Sequence, residues 1–107
     1  MDKELTGIVN NYMLHLFKKK YKVEKAFIFG SYAKDTQTKH SDIDIALIFN
    51  DSNLGDRFDL QVQLLVLASD IDSRIEPHPI GLTSFNQENP FAAEIIKTGK
   101  EIKIRMQ

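Results

Sequence analysis

Two aspartates separated by a single residue are the feature of this sequence that could most directly do chemistry. Asp42 and Asp44 open a β-rich run over residues 43–49. A strand places residues i and i+2 on the same face, about 6 to 7 Å apart along the backbone, and two carboxylates at that spacing repel each other. Carboxylate oxygens suit Mg²⁺, so the pair indicates a divalent-cation site. The alternative is that both aspartates are solvated residues on the polar face of a strand end.

A Gly-Ser pair adds a second signal. Gly30 and Ser31 follow the short apolar run 26–29, which is typical of a strand buried on both faces. A glycine there lets the backbone approach a ligand or adopt a dihedral angle barred to other residues. A serine near the start of the next helical turn offers a hydroxyl and an amide to phosphate oxygens. Such a pair alone most often marks a turn, but a ten-residue spacer, residues 32–41, links it here to the two aspartates, and this order favours phosphate binding.

The carboxylates are concentrated in the middle third of the chain. Residues 40–76 carry two arginines and eight acidic residues, a net charge of −6, whereas residues 1–39 carry +4 and residues 77–107 carry +1. A local surplus of carboxylates is what a divalent cation needs. The total of only −1 gives no overall field that would attract nucleic acid, so direct nucleic-acid binding is not expected.

Length and composition bound the class of protein. A chain of 107 residues, 42% hydrophobic and 27% charged, is expected to form one globular domain over residues 1–107. It has no cysteine, which excludes disulfides, thiolate catalysis and cysteine-built zinc sites. No apolar run approaches the roughly 18 to 20 residues that span a bilayer, and no signal-peptide pattern opens the chain. A cytoplasmic location without membrane contact is expected.

Helices are predicted before and after the aspartate-bearing strand. The first has an apolar stripe at helical spacing, formed by Leu5, Ile8, Val9, Tyr12, Met13, Leu16 and Phe17. After a turn cluster at residues 50–55, Asp56 and Asp59 lie in the first turn of the next helix, as the helix dipole favours. One face of that helix is formed by Phe58, Val62, Leu65 and Ser69, flanked by Leu64, Val66 and Leu67.

The last third of the chain predicts a strand, a helix and a short tail. Residues 74–80 read as a strand in which Pro77 and Pro79 remove two hydrogen-bond donors, indicating an edge position or an early end. Asn89 and Pro90 are typical of a helix start and Gly99 of a helix end. The predicted buried face of this helix is Phe91, Ala92, Ile95 and Ile96. The alternating tail, residues 100–105, fits a fourth strand or a docking edge.

These segments give the order α-β-β-α-β-α-(β), an α/β (α+β) fold with a small mixed sheet and flanking helices. The two neighbouring strands around residues 26 and 45 lack a helix between them, so a doubly wound nucleotide-binding fold fits less well.

The motif order also resembles a known family. Gly30-Ser31-Tyr32-Ala33-Lys34-Asp35, followed by Ser41-Asp42-Ile43-Asp44, is similar to the signature of the polymerase-β-type nucleotidyltransferase superfamily. Within that superfamily, the short length and the tail resemble the minimal nucleotidyltransferase (MNT) domains of prokaryotes. The resemblance extends from residue 26 to about residue 104, and it implies a polymerase-β-like nucleotidyltransferase core. The sequence departs from the family pattern at Asp35, where the family often has glycine. The aspartate adds a negative charge near the expected path of the triphosphate.

The resemblance implies a third carboxylate on a later strand. Glu76 occupies the matching position, and Asp72, which lies before the predicted strand, is the rival. Asp42, Asp44 and Glu76 would hold two Mg²⁺ ions, and Gly30 and Ser31 would bind the triphosphate of ATP. In the predicted strand, His78 and Arg74 would project from the same face as Glu76, because alternate residues share a face. His78 could face the site or be an ordinary histidine on a partly exposed strand, and Arg74 could contact phosphate or pair with a carboxylate.

The resemblance also implies a reaction and a partner. The expected activity is the Mg²⁺-dependent transfer of AMP, or another nucleoside monophosphate, from a nucleoside triphosphate to a hydroxyl group of a protein. MNT domains are commonly paired with a helical HEPN protein in toxin–antitoxin systems, in which the MNT domain is the antitoxin. Two alternatives stay open: an antitoxin that neutralises its partner by binding alone, and a nucleotidyltransferase acting on a small molecule of the aminoglycoside type.

Overall fold

A computed structural model describes residues 3–103 of the chain, and it confirms the predicted order of elements with one extra helical turn between the first two strands. The helices are α1 (Lys3–Lys18), α2 (Ser31–Lys34), α3 (Arg57–Ser69) and α4 (Pro90–Thr98). The strands are β1 (Val23–Phe29), β2 (Ile43–Phe49), β3 (Ile75–Gly81) and β4 (Lys100–Ile102). Two short 3₁₀ helices cover Asp51–Asn53 and Leu82–Ser84. Within the described residues, no helix has the length and apolar character needed to cross a bilayer.

The four strands form one mixed sheet in the order β3-β2-β1-β4. β1 is antiparallel to both β2 and β4, whereas β2 and β3 are parallel and are connected through α3. The antiparallel pairing of β1 with β2 rules out the doubly wound arrangement, as predicted. The tail is a fourth strand at the edge of the sheet, and residues 104 and 105 of the predicted tail lie outside the described residues.

β3 lies at the opposite edge, as its two prolines require. The backbone carbonyls of Pro77 and Pro79 accept hydrogen bonds from the side chains of Gln61 and Arg57 in α3, each at 3.1 Å. The prolines therefore lie at positions that face away from β2, where a missing N–H costs no sheet hydrogen bond. The strand continues to Gly81, so the early end that the prolines also allowed does not occur.

The sheet is covered on both faces. On one face, α1 and α3 pack against the alternating residues of β2 that were predicted to face the core, namely Ile43, Ile45, Leu47 and Phe49. The other face carries a smaller apolar cluster, Ala46, Ile48, Ile80 and Ile95, the last of which comes from α4. Asp44 lies on this second face, near the start of β2. This face of the sheet therefore carries a carboxylate as well as a small apolar cluster.

The predicted face of α3 is not the buried one. Leu60, Leu64 and Ala68 pack against the rest of the protein, whereas Phe58 is 73% exposed. Val62, Leu65 and Val66 are exposed as well. Apolar residues surround most of this helix, so periodicity alone cannot identify the buried side. Asp56 is the N-cap residue, since its side chain accepts a hydrogen bond from the backbone N–H of Asp59.

The start and end of α4 follow the prediction. The side chain of Asn89 accepts hydrogen bonds from the backbone N–H groups of Phe91 and Ala92, and Pro90 is the first helical residue. Ala92 and Ile95 are buried, but Phe91 is 46% exposed and Ile96 is 38% exposed, so only half of the predicted face is correct. Gly99 ends the helix in an extended, not a left-handed, conformation. Glycine is needed there for space, because a Cβ atom would lie 2.5 Å from the carbonyl oxygen of Ile95.

Candidate active site

The candidate site lies where β1 ends and where β2 and β3 begin. Asp44, near the start of β2, is paired with Phe29 of β1 on one side and with Glu76 of β3 on the other. Neighbouring residues in register on a sheet project from the same face. The parallel pairing of β2 and β3 therefore brings Glu76 next to Asp44, although 31 residues separate the two in the chain.

Asp44, Glu76 and His78 form a close cluster. The Nε2 atom of His78 lies 3.2 Å from Oδ1 of Asp44 and 3.8 Å from Oε1 of Glu76. One potential ligand atom from each of the three side chains lies within 4.8 Å of the other two. All three residues are partly buried, which leaves the cluster open to solvent on one side. A group of this size and composition could hold a metal ion.

Asp42 completes the acidic part of the site. It is exposed and precedes the first residue of β2. Burial raises the pKa of the Glu76 carboxyl, and the adjacent carboxyl of Asp42 raises it further, together with the charge of Asp44; the nearby His78 opposes the shift. The raised pKa means that Glu76 binds a proton more readily than an isolated glutamate does. A cation can relieve the same repulsion.

Gly30 allows the backbone to pass directly beside Asp44. Its φ is +74°, a conformation that other L residues rarely adopt, and a Cβ at this position would lie 2.5 Å from Oδ2 of Asp44. Glycine is needed here for both reasons. Ser31 then begins the single turn of α2. The backbone carbonyl of Gly30 accepts hydrogen bonds from the backbone N–H groups of Ala33 and Lys34. The glycine and serine of the motif are thus adjacent to the carboxylate cluster.

Asp35, the departure from the family pattern, ends α2 in a left-handed conformation with φ 58° and ψ 33°. Glycine suits such a position, and aspartate is among the few other residues that tolerate it. The side chain is exposed and lies 3.9 Å from Nζ of Lys100. The charge of Asp35 is therefore paired with a lysine of β4.

Asp72 is not brought to the cluster. It forms a double hydrogen bond with Arg74, whose Nε and Nη2 lie 3.1 Å and 3.0 Å from the two carboxylate oxygens. This contact lowers the pKa of Asp72. Arg74 also donates to the hydroxyl of Tyr32 at 3.2 Å. Of the two roles left open for Arg74, the structure thus shows pairing with a carboxylate. Arg74 precedes β3, so the alternation of side chains along the strand does not determine where its side chain points.

Two aromatic residues hold His78 in the cluster. The ring of His78 packs against Phe29 with centroids 5.0 Å apart and against Phe91 with centroids 5.9 Å apart. His78 was predicted to be a possible site residue because it lies two residues after Glu76 in the strand, and the structure places it beside Asp44 and Glu76. Phe91 was predicted only as a core residue of α4. No local sequence signal links it to the site, because its position depends on how α4 packs on the sheet.

Comparisons with known proteins give the family. The model of the "Polymerase beta, Nucleotidyltransferase" family matches residues 11–107. Two proteins of Methanocaldococcus jannaschii named "putative protein adenylyltransferase" are similar over short segments: MJ1379 is 50% identical over 38 residues, and MJ0128 is 56% identical over 34 residues. These segments are 36% and 32% of this chain. They cover 38% and 35% of the two relatives, so the match spans little more than a third of either.

Solved structures support the same fold. A "putative nucleotidyltransferase" from Sulfolobus solfataricus superposes with a TM-score of 0.67 at 17% identity, over 95% of this chain and 82% of that one. A chain of the toxin–antitoxin MntA–HpeT, solved as a point mutant, gives a TM-score of 0.58 at 25% identity, over 92% and 74% of the two chains. A chain of a toxin–antitoxin structure with AMP-PNP gives 0.57 at 26% identity, over 92% and 75%. The match of the family model over residues 11–107 shows that the chain belongs to the polymerase beta nucleotidyltransferase family.

Proposed function

We propose that this protein transfers AMP from ATP to a hydroxyl group of a protein partner in a reaction that depends on Mg²⁺. The observation that carries the proposal is the convergence of Asp44 and Glu76, from two parallel strands, beside the Gly30–Ser31 turn. Family membership supports nucleotidyl transfer, and the names of the two Methanocaldococcus proteins support a protein acceptor.

The donor set fits a hard divalent cation. Asp42, Asp44 and Glu76 offer carboxylate oxygens to such an ion. Burial raises the pKa of Glu76, and the neighbouring carboxyls of Asp42 and Asp44 raise it further, a repulsion that a cation would relieve. Asp42 and Asp44 would hold the ions near the triphosphate, and Glu76 would hold the ion on the acceptor side. When bound, two Mg²⁺ ions would stabilise the charge that develops on the attacking oxygen, the α-phosphoryl group and the departing pyrophosphate.

Gly30 and Ser31 would hold the remaining phosphates. The backbone at Gly30 passes close to Asp44, so a phosphate chain lying on this turn would reach the carboxylate cluster directly. The amide and hydroxyl of Ser31 would donate hydrogen bonds to phosphate oxygens, and such bonds are stronger to charged acceptors than to neutral ones. This arrangement would fix the α-phosphorus between the carboxylates and the acceptor hydroxyl.

The partner we propose is a helical toxin of the HEPN type, with this chain as its antitoxin. The similar chains in toxin–antitoxin structures support a toxin partner, and one of those structures contains AMP-PNP, a nucleoside triphosphate analogue. Transfer of AMP to a hydroxyl of the toxin would then block it covalently. An antitoxin that acts by binding alone needs the same partner but no reaction, so an experiment on the partner's mass distinguishes the two.

The test uses the full chain co-expressed with its helical partner and then incubated with ATP and Mg²⁺. Intact mass spectrometry should show that the partner gains whole AMP units and that Asp44→Asn abolishes the gain. Asp72→Asn is the matched control, because it removes a carboxylate that already pairs with Arg74, and it should label like the wild type. A partner that never gains mass, although the protein binds ATP, would favour the binding-only antitoxin. Labelling of an aminoglycoside in place of the partner would favour the small-molecule enzyme.

A further inference from the structure

The imidazole of His78 is directed at the two carboxylates on which the proposed cation site depends. Its Nε2 atom lies 3.2 Å from Asp44 Oδ1 and 3.8 Å from Glu76 Oε1. Ligand atoms bound about 2.1 Å from one octahedral ion are about 3 Å apart when adjacent and about 4.2 Å apart when opposite. The three atoms, all within 4.8 Å of one another, therefore need only small shifts to surround a single ion.

The fold holds the His78 ring in this orientation. His78 is paired in register with Ala46, whose small side chain leaves space on that face of the sheet. The rings of Phe29 and Phe91, which also contact each other with centroids 5.4 Å apart, pack against the ring of His78. A ring held by packing on two sides loses little further freedom when it binds a ligand.

We propose that Nε2 of His78 is a ligand of the cation held by Asp44 and Glu76, and that this site takes a first-row transition cation in preference to Mg²⁺. The inference rests on the proposed function, since it concerns the same cation site, and it names the chemistry of that cation more narrowly. Carboxylate and water suit Mg²⁺, whereas an imidazole nitrogen adds affinity for first-row transition metals such as Fe²⁺ and Zn²⁺. Mn²⁺ lies at the weak end of that series and serves as the paramagnetic probe.

The competing role for His78 has the opposite consequence. If His78 were only a hydrogen-bonding cation that balances Asp44 and Glu76, its charge would repel a metal ion. Removing it would then strengthen metal binding. If Nε2 is a ligand, removing it weakens the binding of Mn²⁺ and leaves that of Mg²⁺ almost unchanged. The sign of the change in Mn²⁺ affinity therefore separates the two roles.

The experiment is pulsed electron paramagnetic resonance of the full chain loaded with Mn²⁺ in the absence of nucleotide. We expect nitrogen hyperfine coupling of the size produced by a directly bound imidazole, and its loss in His78→Ala. His40→Ala is the matched control, because His40 is an exposed histidine of the neighbouring loop, and it should keep the coupling. In a parallel titration, His78→Ala should lower the Mn²⁺ affinity about tenfold or more.

The outcomes separate this inference from the proposed function. Mn²⁺ that binds without nitrogen coupling, or more tightly to His78→Ala, overturns the inference and leaves the carboxylate site intact. A wild-type protein that binds neither Mn²⁺ nor Mg²⁺, with or without ATP, overturns the inference and the proposed function together. His78→Asn, which keeps a polar side chain, provides a second variant should His78→Ala fail to fold.

Discussion

Two carboxylates only four residues apart, Asp72 and Glu76, have opposite electrostatic surroundings. Asp72 accepts two hydrogen bonds from the guanidinium of Arg74, which lower its pKa. Glu76 is partly buried next to two other carboxylates, and its pKa is raised. A carboxylate that a permanent cation already neutralises has little affinity left for a metal ion. The comparison identifies Glu76 as the carboxylate that remains available to a ligand.

The difference originates in the backbone between the two residues. Asp72 lies in the turn after α3, where its amide donates to Ala68 and its carbonyl accepts from Ile75. β3 starts at Ile75, so Glu76 is the first residue whose side chain the sheet directs toward Asp44. The start of a strand thus separates a structural carboxylate from a candidate catalytic one.

The largest expected effect is the loss of the Asp42 and Asp44 carboxylates. Asp42→Asn combined with Asp44→Asn should abolish the part of ATP binding that needs a divalent cation, and it should reduce AMP transfer at least about a hundredfold. The melting temperature should rise with ATP and Mg²⁺ in the wild type, since a ligand of the native state stabilises it, but not in the double mutant. Equal shifts with and without the metal would contradict the proposed site.

Glu76→Gln should separate binding from turnover. The acceptor-side ion matters most when the attacking oxygen reacts, so ATP affinity should stay near the wild-type value while kcat falls about tenfold to a hundredfold. Asp72→Asn should change neither quantity appreciably. A dead Asp72→Asn alongside an active Glu76→Gln would reverse the comparison between the two carboxylates.

Glycines with positive φ allow a test of the phosphate turn. Gly30→Ala places a methyl group against Asp44, whereas Gly55→Ala, at φ +55°, meets nothing within 4 Å. Both variants carry a backbone cost in unfolding free energy of about 1 to 3 kcal/mol, because each places a side chain in a sparsely populated conformation. Only Gly30→Ala should weaken ATP binding in titration calorimetry, and Gly30→Val should weaken it more; Ser31→Ala should cost less. Equal ATP affinities in Gly30→Ala and Gly55→Ala would mean that the phosphates bind elsewhere.

The smallest expected effect is on stability as a function of pH, in the absence of divalent cations. The lowered pKa of Asp72 contributes stability that is present above its unfolded pKa of about 3.9 and is lost as the pH falls through the folded value. Protonation of Glu76, with its raised pKa, contributes stability present below about 4.3 and lost as the pH rises through the folded value. At neutral pH, denaturant unfolding should therefore show Asp72→Asn destabilised and Glu76→Gln slightly stabilised, each by less than about 1 kcal/mol because both sites are partly solvated. A destabilised Glu76→Gln would show that Glu76 is not under electrostatic strain.

Local sequence patterns predicted those parts of the fold that depend on interactions between residues close together in the chain. The alternation of β2, the edge position of β3 and the N-cap of α4 all follow from residue types at fixed spacing, and the structure agrees with each. The buried face of α3 could not be predicted, because apolar residues surround that helix and only its packing on the sheet selects a side.

The candidate site shows the same division. Asp44 and Gly30 are close because β1 and β2 are consecutive antiparallel strands and Phe29, the residue before Gly30, is paired with Asp44. The register that sets Glu76 beside Asp44 arises from the parallel pairing of β2 with β3, which no short motif encodes. The contact of His78 with Phe91 depends on the docking of α4. Long-range packing decides these contacts, so the sequence left the roles of Arg74 and His78 open.

The most direct test of nucleotidyl transfer follows the phosphorus atoms of ATP separately. The wild-type chain and its helical partner are incubated with Mg²⁺ and ATP labelled at either the α- or the γ-phosphorus, and the partner is then isolated under denaturing conditions. We expect the α-label to stay covalently on the partner, the γ-label to leave with pyrophosphate, and Asp44→Asn, but not Asp72→Asn, to abolish the labelling. Transfer of the γ-label, or α-labelling that persists undiminished in Asp44→Asn, would contradict nucleotidyl transfer by this carboxylate site.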